Sequence, residues 1–343
     1  MPQLTVAICT YRRRDLLKIT LESLCAAAQH VPRLDWELLI IDNADEPSVA
    51  SLVQSFAHRF PCVRYEIQPT PGTSWARNLA VETAQSPIIV FTDDDVTFDP
   101  QWLARMSHAI TCQPQCQFWG GRVEPHWPAD LAQPSWFNPT LCPMLGDTIV
   151  QYRRGDQPRP WNSESDPPFY TANLAFRVTA VQNAGGFNTA VGHSASKRVG
   201  MEDSLMVYAI ASAGGQGWYA GDAVVHHPVP HDRITKSYCR NFAKRQGWLS
   251  VYLLQLQSPN HRVPRWLYRL ALQRTMTNFC AWIKHTFTRR PDHAFACQIQ
   301  FLFNASKFWH ALLAIWKSPP TPPTTNASSP TPTPPSSSST SSH

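Results

Sequence analysis

Residues 88–95 have the sequence IIVFTDDD, in which a mostly β-branched apolar run ends in three consecutive aspartates. A short run of this kind predicts a strand that is buried on both faces of a sheet. Similar apolar runs occur earlier in the chain, at residues 4–9, 37–41 and 63–67. Segments with helical spacing follow them, at residues 15–29, 47–59, 73–83 and 99–110. This alternation predicts an α/β protein with a mostly parallel, doubly wound sheet flanked by helices.

Polar residues follow each of these four strands directly, at residues 10–13, 42–43, 69–72 and 93–95. In open α/β sheets, ligands bind beyond the carboxyl ends of the strands. Asp93, Asp94 and Asp95 repel one another unless a cation or hydrogen bonds compensate, and oxygen ligands suit Mg²⁺ or Mn²⁺. The alternative is a solvated turn that caps the next helix, but Asp99 already suits that cap. The aspartates therefore predict a divalent metal site at this edge.

The sequence PGTSWARN at residues 71–78 combines a turn with the start of a helix. Backbone N–H groups at such a turn suit a phosphate group. The motif matches neither a Walker A loop nor a dinucleotide-binding fingerprint, and an arginine such as Arg77 on a surface helix is commonly solvated. On its own, this motif indicates a phosphate site only weakly.

Two pairs of titratable residues occur later in the chain. Glu202 and Asp203 start a helix after a glycine, where they suit either helix capping or general base catalysis. His226 and His227 end a strand expected at residues 217–227, where a structural role is commoner than metal ligation. The residues alone do not decide between a structural and a functional role for either pair.

Between residues 118 and 168 the regular pattern breaks, and we expect a functional loop or lid. Its tryptophans suit either a sugar-stacking surface or a protein core, and both interpretations stay open; they are Trp119, Trp127, Trp136 and Trp161. Regular structure is expected to resume at residues 170–177, followed by a helix at 204–213.

Taken in order, the motifs VAICTYRR, LLIIDNA, PGTSWARN, IVFTDDDV, NLAFR, GMEDSLM and AVVHH resemble those of family 2 glycosyltransferases. The resemblance covers about residues 3–247 and implies the GT-A fold, a Rossmann-like, mostly parallel α/β sheet. It also implies a metal-dependent, inverting enzyme that moves a sugar from a nucleotide-sugar donor to a hydroxyl acceptor. The implied cofactor is Mn²⁺ or Mg²⁺. A UDP-sugar is the expected donor, with other nucleotide sugars left open, and the expected acceptor is a glycan, lipid-linked or at the cell surface.

The resemblance also assigns donor-binding residues. Thr10 and Arg12 would border the nucleotide, and Asp42 would contact its base or ribose. Arg77 would lie near the base or the diphosphate. Asp93 and Asp94 would contact the ribose or a metal-bound water.

The same resemblance assigns the metal ligands and the base. Asp95 is the preferred metal ligand, with Asp93 as a second, although the triple aspartate leaves the register ambiguous by one. His227 fits the A-x-V-x-H spacing better than its neighbour and would approach the metal or the diphosphate. Asp203 matches the catalytic base, and Glu202 is a weaker candidate beside it. An ordinary carboxylate pKa suffices for this base, since proton transfer can come late.

Two other functions compete with glycosyl transfer. Sugar nucleotidyltransferases also combine a Rossmann-like sheet with metal-binding carboxylates, but they usually carry a Gly-rich basic loop where this chain has CTYRRRD. A non-catalytic sugar-nucleotide-binding protein would not need the intact aspartate run or the Glu-Asp pair. Both residue patterns therefore favour the transferase.

The charge of the chain is unevenly distributed. Residues 227–317 contain 14 Lys and Arg but two Asp, whereas the rest contains 16 basic and 22 acidic residues. Residues 263–316 have the pattern of two amphipathic, basic helices, which would pack on the core or a partner, or lie on an anionic membrane. The acidic front half argues against nucleic acid as a partner. We expect a catalytic domain at 1–250, a helical extension at 251–317 and a disordered Ser/Thr/Pro-rich tail at 318–343.

Nine cysteines are scattered without a C-x-x-C pair, which is typical of buried, reduced thiols in a cytosolic protein. The amino terminus lacks the apolar stretch of a signal peptide, and no uncharged run approaches the ~18 residues that span a bilayer. The expected location is the cytoplasm, with peripheral contact at the inner face of a membrane left open.

Overall fold

The structure is a computed structural model that describes residues 2–193, 198–257 and 263–314. The strands are β1 (Leu4–Thr10), β2 (Trp36–Asp42), β3 (Val63–Ile67), β4 (Ile88–Asp93), β5 (Thr97–Phe98), β6 (Phe118–His126), β7 (Arg159–Pro160), β8 (Leu174–Arg177), β9 (Gly192–His193), β10 (Arg198–Val199) and β11 (Gly217–Pro228). The helices are α1 (Arg14–Ala28), α2 (Pro47–Phe56), α3 (Thr73–Thr83), α4 (Trp102–Cys112), α5 (Pro143–Thr148), α6 (Val178–Asn183), α7 (Glu202–Ser212), α8 (Lys236–Gln257), α9 (Arg265–Phe287) and α10 (Pro291–Leu313).

Nine strands form one sheet in the order β3-β2-β1-β4-β8-β6-β11-β5, with β7 paired to β11. The pairs β1–β2, β2–β3, β1–β4 and β6–β11 are parallel, and β8 runs antiparallel between β4 and β6. The mostly parallel α/β sheet expected from the sequence is therefore confirmed. Every residue of β2 is buried, as a strand covered on both faces requires.

The parallel register brings the polar ends of the strands to one edge. Thr10 pairs with Asp42 across β1 and β2, and Cys9 pairs with Asp93 across β1 and β4. Helix α1 covers the sheet through Leu17, Leu21 and Leu24, which recur at helical spacing and are buried. The hydrophobic core thus fixes where the carboxylates meet.

The loop or lid expected from residue 118 onward is a wrong prediction for residues 118–126. These residues form β6, an internal strand of the sheet. Gly120 and Gly121 obscure the strand pattern because they have no side chain, yet close packing requires them. A Cβ on Gly120 would lie 2.0 Å from the Phe169 ring, and one on Gly121 would lie 2.1 Å from the Asn173 amide. Trp119 and Trp161 are buried in the core of the sheet, whereas Trp127 and Trp136 are partly buried and pack against a second hydrophobic cluster.

Two smaller expectations also need correction. Helix α4 begins at Trp102, so Asp99 is not its cap; its carboxylate instead accepts the Gln101 N–H, at 2.9 Å. All nine cysteines are unpaired, but Cys62, Cys112 and Cys280 are exposed rather than buried.

The C-terminal helices pack on the rest of the protein through a second hydrophobic cluster. Phe137, Leu145 and Ile149 contact residues of α8 and α10 there, including Ala243 and Ile299. The sequence did not indicate α8, which is continuous across the domain boundary expected at residue 250. The two helices expected in residues 263–316 differ in how they pack. Helix α10 packs on the rest of the protein, whereas α9 buries only Leu267 and Ala271. Residues 315–317 and the tail at 318–343 lie outside the described residues.

Within the part of the chain that the structure describes, no helix is both long and apolar enough to cross a membrane.

Asn173 ties three parts of the fold together, so we expect Asn173→Ala to destabilise the protein. Its buried amide donates to the Arg122 and Ala223 carbonyls and accepts from the Trp102 indole, each at 2.9 Å. Leaving these buried groups unpaired should lower the free energy of unfolding by about 2–4 kcal/mol, measured by urea denaturation. The exposed Asn183, changed to alanine, is the matched control; equal stability of both variants would contradict this role.

Candidate active site

The aspartates after β4 lie in a cluster with residues that follow β1. The Thr10 hydroxyl donates to Asp94 Oδ2 at 2.7 Å. Arg13 Nη1 donates to Asp94 Oδ1 and to Asp95 Oδ2, each at 3.1 Å. Arg13 was not singled out by the sequence, because nothing distinguishes it from its neighbours in the run YRRR.

Asp93, Asp95 and His227 form a candidate metal centre. One ligand atom from each residue lies within 4.8 Å of the other two. The pairing of β11 with β5, His226 opposite Thr97, brings the end of β11 to the aspartates. His227 Nε2 lies 3.5 Å from Asp95 Oδ1. These are the three residues that the resemblance assigned as ligands.

The donor set fits a divalent cation. His227 Nδ1 lies 2.9 Å from the Pro228 carbonyl oxygen, which can only accept a hydrogen bond. Nδ1 therefore carries the proton, and the Nε2 lone pair is left for a metal. Asp95 Oδ1 is buried with no hydrogen-bond partner among the described residues. An unpaired buried carboxylate oxygen is costly in free energy, and a bound cation would offset that cost.

Burial also raises the pKa values of the neighbouring carboxyl groups. It raises the pKa of Asp94 to about 6, against the opposing effect of Arg13. It raises the pKa of Asp93 as well, with repulsion from Asp95 adding to the shift. Burial is the main cause of both shifts and the neighbouring carboxylates add to them, so the protein's own cations offset the cost of these charges only in part.

Arg77 is buried and connects this cluster to helix α7. Its Nη1 donates to Glu202 Oε1 at 2.5 Å, and its Nη2 lies 3.9 Å from Asp93 Oδ1. Glu202 Oε1 also accepts from the Thr73 hydroxyl at 3.1 Å. The sequence alone favoured a solvent-exposed side chain for Arg77, and the structure shows that this expectation is wrong. Glu202 is 4% exposed and holds Arg77 in place.

Asp203 stands beside this ion pair and is only half-buried. Its Oδ1 accepts the Ser204 N–H at 2.7 Å, and the carboxylate also accepts the Thr171 N–H. Desolvation, followed by repulsion from Glu202, raises the pKa of Asp203 to about 7. A carboxyl group with this pKa and partial access to solvent suits proton transfer near neutral pH.

Arg12 and Asp42, the other two residues expected to bind the donor, differ in their exposure to solvent. Arg12 is exposed, in a left-handed conformation with φ 55°. Asp42 is fully buried: its oxygens accept the Ala44 and Glu46 N–H groups and the Tyr65 hydroxyl, at 2.7–2.8 Å. These hydrogen bonds give Asp42 a structural role in the turn after β2.

Asp147 is a second acidic group near the site, in contact with Tyr170, and it was not found from the sequence. The Tyr170 hydroxyl donates to Asp147 Oδ1 at 2.9 Å, and burial raises the pKa of Asp147 to about 6. Burial, together with the charges of Asp147 and Asp203, raises the pKa of Tyr170. No motif marks these residues, because α5 and the turn before β8 meet only in the folded chain.

Removing a ligand from the candidate metal centre should weaken Mn²⁺ binding. We expect Asp95→Asn and His227→Ala each to raise the dissociation constant about 10- to 100-fold, because the first removes the negative charge of one ligand and the second removes a ring-nitrogen ligand. Isothermal calorimetry with the metal alone measures this directly. Asp15→Asn, which removes an exposed carboxylate outside the cluster, is the control, and equal affinity in all variants would contradict the assignment.

Comparison with known proteins gives a consistent result. The family described as Glycosyl transferase family 2 matches residues 5–173. Succinoglycan biosynthesis protein ExoM of Rhizobium meliloti is 28% identical over 285 residues, 80% of this chain and 82% of that protein. Glucosyl-dolichyl phosphate glucuronosyltransferase of Haloferax volcanii is 23% identical over 252 residues, 71% of this chain and 76% of that protein.

A solved structure shows the same fold. Mannosyltransferase PcManGT from Pyrobaculum calidifontis, in complex with GDP-Man and Mn²⁺, superposes with a TM-score of 0.52 at 18% identity. The match covers 92% of this chain and 74% of that one. The sheet order, the family match and these relatives agree, and the fold is GT-A. The chain belongs to glycosyltransferase family 2 and is a glycosyltransferase enzyme.

Proposed function

We propose that the protein is a metal-dependent, inverting glycosyltransferase that uses a nucleotide-sugar donor. One observation carries the proposal: Arg77 links the carboxylates of the candidate metal centre to the start of α7, where Asp203 lies beside its ion pair. The structural neighbour with GDP-Man and Mn²⁺ supports a divalent metal and a nucleotide sugar. Mg²⁺ would satisfy the same oxygen-rich ligands.

Asp93, Asp95 and His227 would hold the metal ion. When bound, the ion supplies positive charge that stabilises the leaving nucleoside diphosphate. Arg77 adds a fixed, buried cation near the same carboxylates. Preorganised charge of this kind acts on the transition state without the cost of reorienting water.

Asp203 is proposed as the general base. It would remove the proton from the acceptor hydroxyl as that oxygen attacks the anomeric carbon from the face opposite the diphosphate. This direction of attack inverts the configuration at that carbon. Glu202 is engaged by Arg77 and Thr73, so we assign it a positioning role rather than the weaker base role considered from the sequence.

The donor would lie along the edge formed by the first strands. Thr10, Arg12, Asp93 and Asp94 would border the nucleotide, and buried Asp42 would shape the turn beside it. We retain a UDP-sugar as the first donor to test. A GDP-sugar is the direct comparison, because the structural neighbour binds GDP-Man.

The proposed acceptor is a hydroxyl group of a glycan, and more specifically of a lipid-linked saccharide. Two relatives support this: one is named for succinoglycan biosynthesis, the other for transfer to a glucosyl-dolichyl phosphate. A lipid-linked acceptor would place the enzyme in the cytoplasm, at the inner face of a membrane.

The proposal is tested by incubating the protein with Mn²⁺ and a panel of UDP- and GDP-sugars and following nucleoside diphosphate release. Asp203→Asn should keep donor affinity but slow transfer by about 10²- to 10⁴-fold, since only the proton acceptor is lost. Donor affinity is measured separately by calorimetry. Asp222→Asn, a part-buried carboxylate outside the site, is the control. Equal transfer by Asp203→Asn would remove Asp203 as the base, and no binding of any donor would refute the proposed function.

Transfer should also depend on pH. Because the raised pKa of Asp203 is about 7, the group is protonated and inactive as a base below that pH and becomes active above it. A cation bound nearby stabilises the carboxylate and lowers its pKa somewhat, so the acidic limb of kcat should have a midpoint between about 5.5 and about 7. A kcat that stays constant from about pH 5 to pH 8 would contradict this assignment.

A further inference from the structure

Helix α9 carries a continuous apolar stripe on the surface of the protein. Its residues recur at intervals of four and three, which places them on one face of the helix. Each is between 37% and 83% exposed; they are Leu272, Met276, Phe279, Ile283 and Phe287. The stripe extends over about 22 Å of the helix. Exposed apolar patches of this size mark interaction sites in soluble proteins.

The rest of the protein covers the opposite face of α9. Leu267 and Ala271 are the buried residues of the helix, and the Trp282 ring lies 5.9 Å from the Phe301 ring of α10. Phe279, at the border of the stripe, also contacts Phe301, with 5.5 Å between the ring centroids. The Tyr268 hydroxyl donates to the Ala311 carbonyl at 3.1 Å. These contacts hold α9 against α10 and leave Leu272, Met276, Ile283 and Phe287 exposed, so packing within the described residues accounts for Phe279 alone.

The charge around the stripe has one sign. Helix α9 contains no Asp or Glu. Its exposed cations on or beside this face are Arg265, Arg269 and Lys284, and Arg289 and Arg290 follow in the next turn. Arg274 lies on the other side of the helix, near Lys307 of α10. A second copy docked through the same face would bring these cations against their equivalents, which opposes self-association.

We propose that α9 lies flat on an anionic phospholipid surface, with the apolar stripe inserted among the lipids and the cations beside their headgroups. Aromatic and aliphatic residues on one face, with Lys and Arg at its borders, are the features that hold a helix in the plane of a membrane interface. The inference extends the proposed lipid-linked acceptor. It is tested without catalysis, so its failure leaves the proposed transfer reaction standing.

The test is flotation of the full chain with vesicles of phosphatidylcholine containing about one-third phosphatidylglycerol. The wild type should float with these vesicles and bind pure phosphatidylcholine at least about tenfold more weakly, because the headgroups then carry no net charge. Binding should also fall when the salt rises from about 0.1 M to about 1 M. Equal binding to both vesicles, or none, would overturn the proposal.

The double variant Met276→Glu/Ile283→Glu should lower the partition coefficient at least about tenfold. Its matched control is Leu16→Glu/Ile19→Glu on α1, where the exposed fractions of 39% and 51% resemble the 55% and 39% of Met276 and Ile283. Unfolding temperatures and donor affinity should be unchanged in both variants. If both bind vesicles like the wild type, the stripe is not the membrane contact. If the wild type is a dimer that only Met276→Glu/Ile283→Glu dissociates, a second copy occupies the face and the proposal is wrong.

Discussion

Crowding of carboxylates at one edge of the sheet is the constraint on which the site depends. Asp93, Asp94 and Asp95 follow a buried strand, where their charges are poorly solvated and repel one another. The protein supplies positive charge from two sides, through Arg13 after β1 and Arg77 on α3. One buried oxygen of Asp95 still has no hydrogen-bond partner among the described residues, and His227 faces it. The cluster therefore offers donor atoms and uncompensated negative charge that suit a metal ion.

Arg77 explains why two adjacent acidic residues can have different roles. Glu202 is buried against it, so its charge is used in an ion pair. Asp203, one residue further along α7, is accessible and has a raised pKa, partly because Glu202 is charged. Burial is the main cause of this raised pKa, to which Glu202 adds and which Arg77 opposes. The ion pair also holds the start of α7 close to the aspartates of β4.

The two C-terminal amphipathic helices show how far a sequence pattern can be interpreted. Both have apolar residues at helical spacing, and both were expected either to pack or to face a membrane. Helix α10 buries Phe295 and Ile299 against the second cluster, whereas α9 leaves most of its apolar residues exposed. Periodicity records that a helix has an apolar face but not which surface covers it, since that depends on the position of the neighbouring helices.

The sequence by itself determined the strand–helix alternation of the first 110 residues, the position of the aspartates at the strand ends, and the family. These follow from local periodicity and from motifs in a fixed order. Only the tertiary structure decided that residues 118–126 form an internal strand, that Arg77 pairs with Glu202, and that Arg13 and Tyr170 adjoin the acidic groups. Each of these depends on contacts between residues more than 20 positions apart, and such contacts leave no local pattern in the chain.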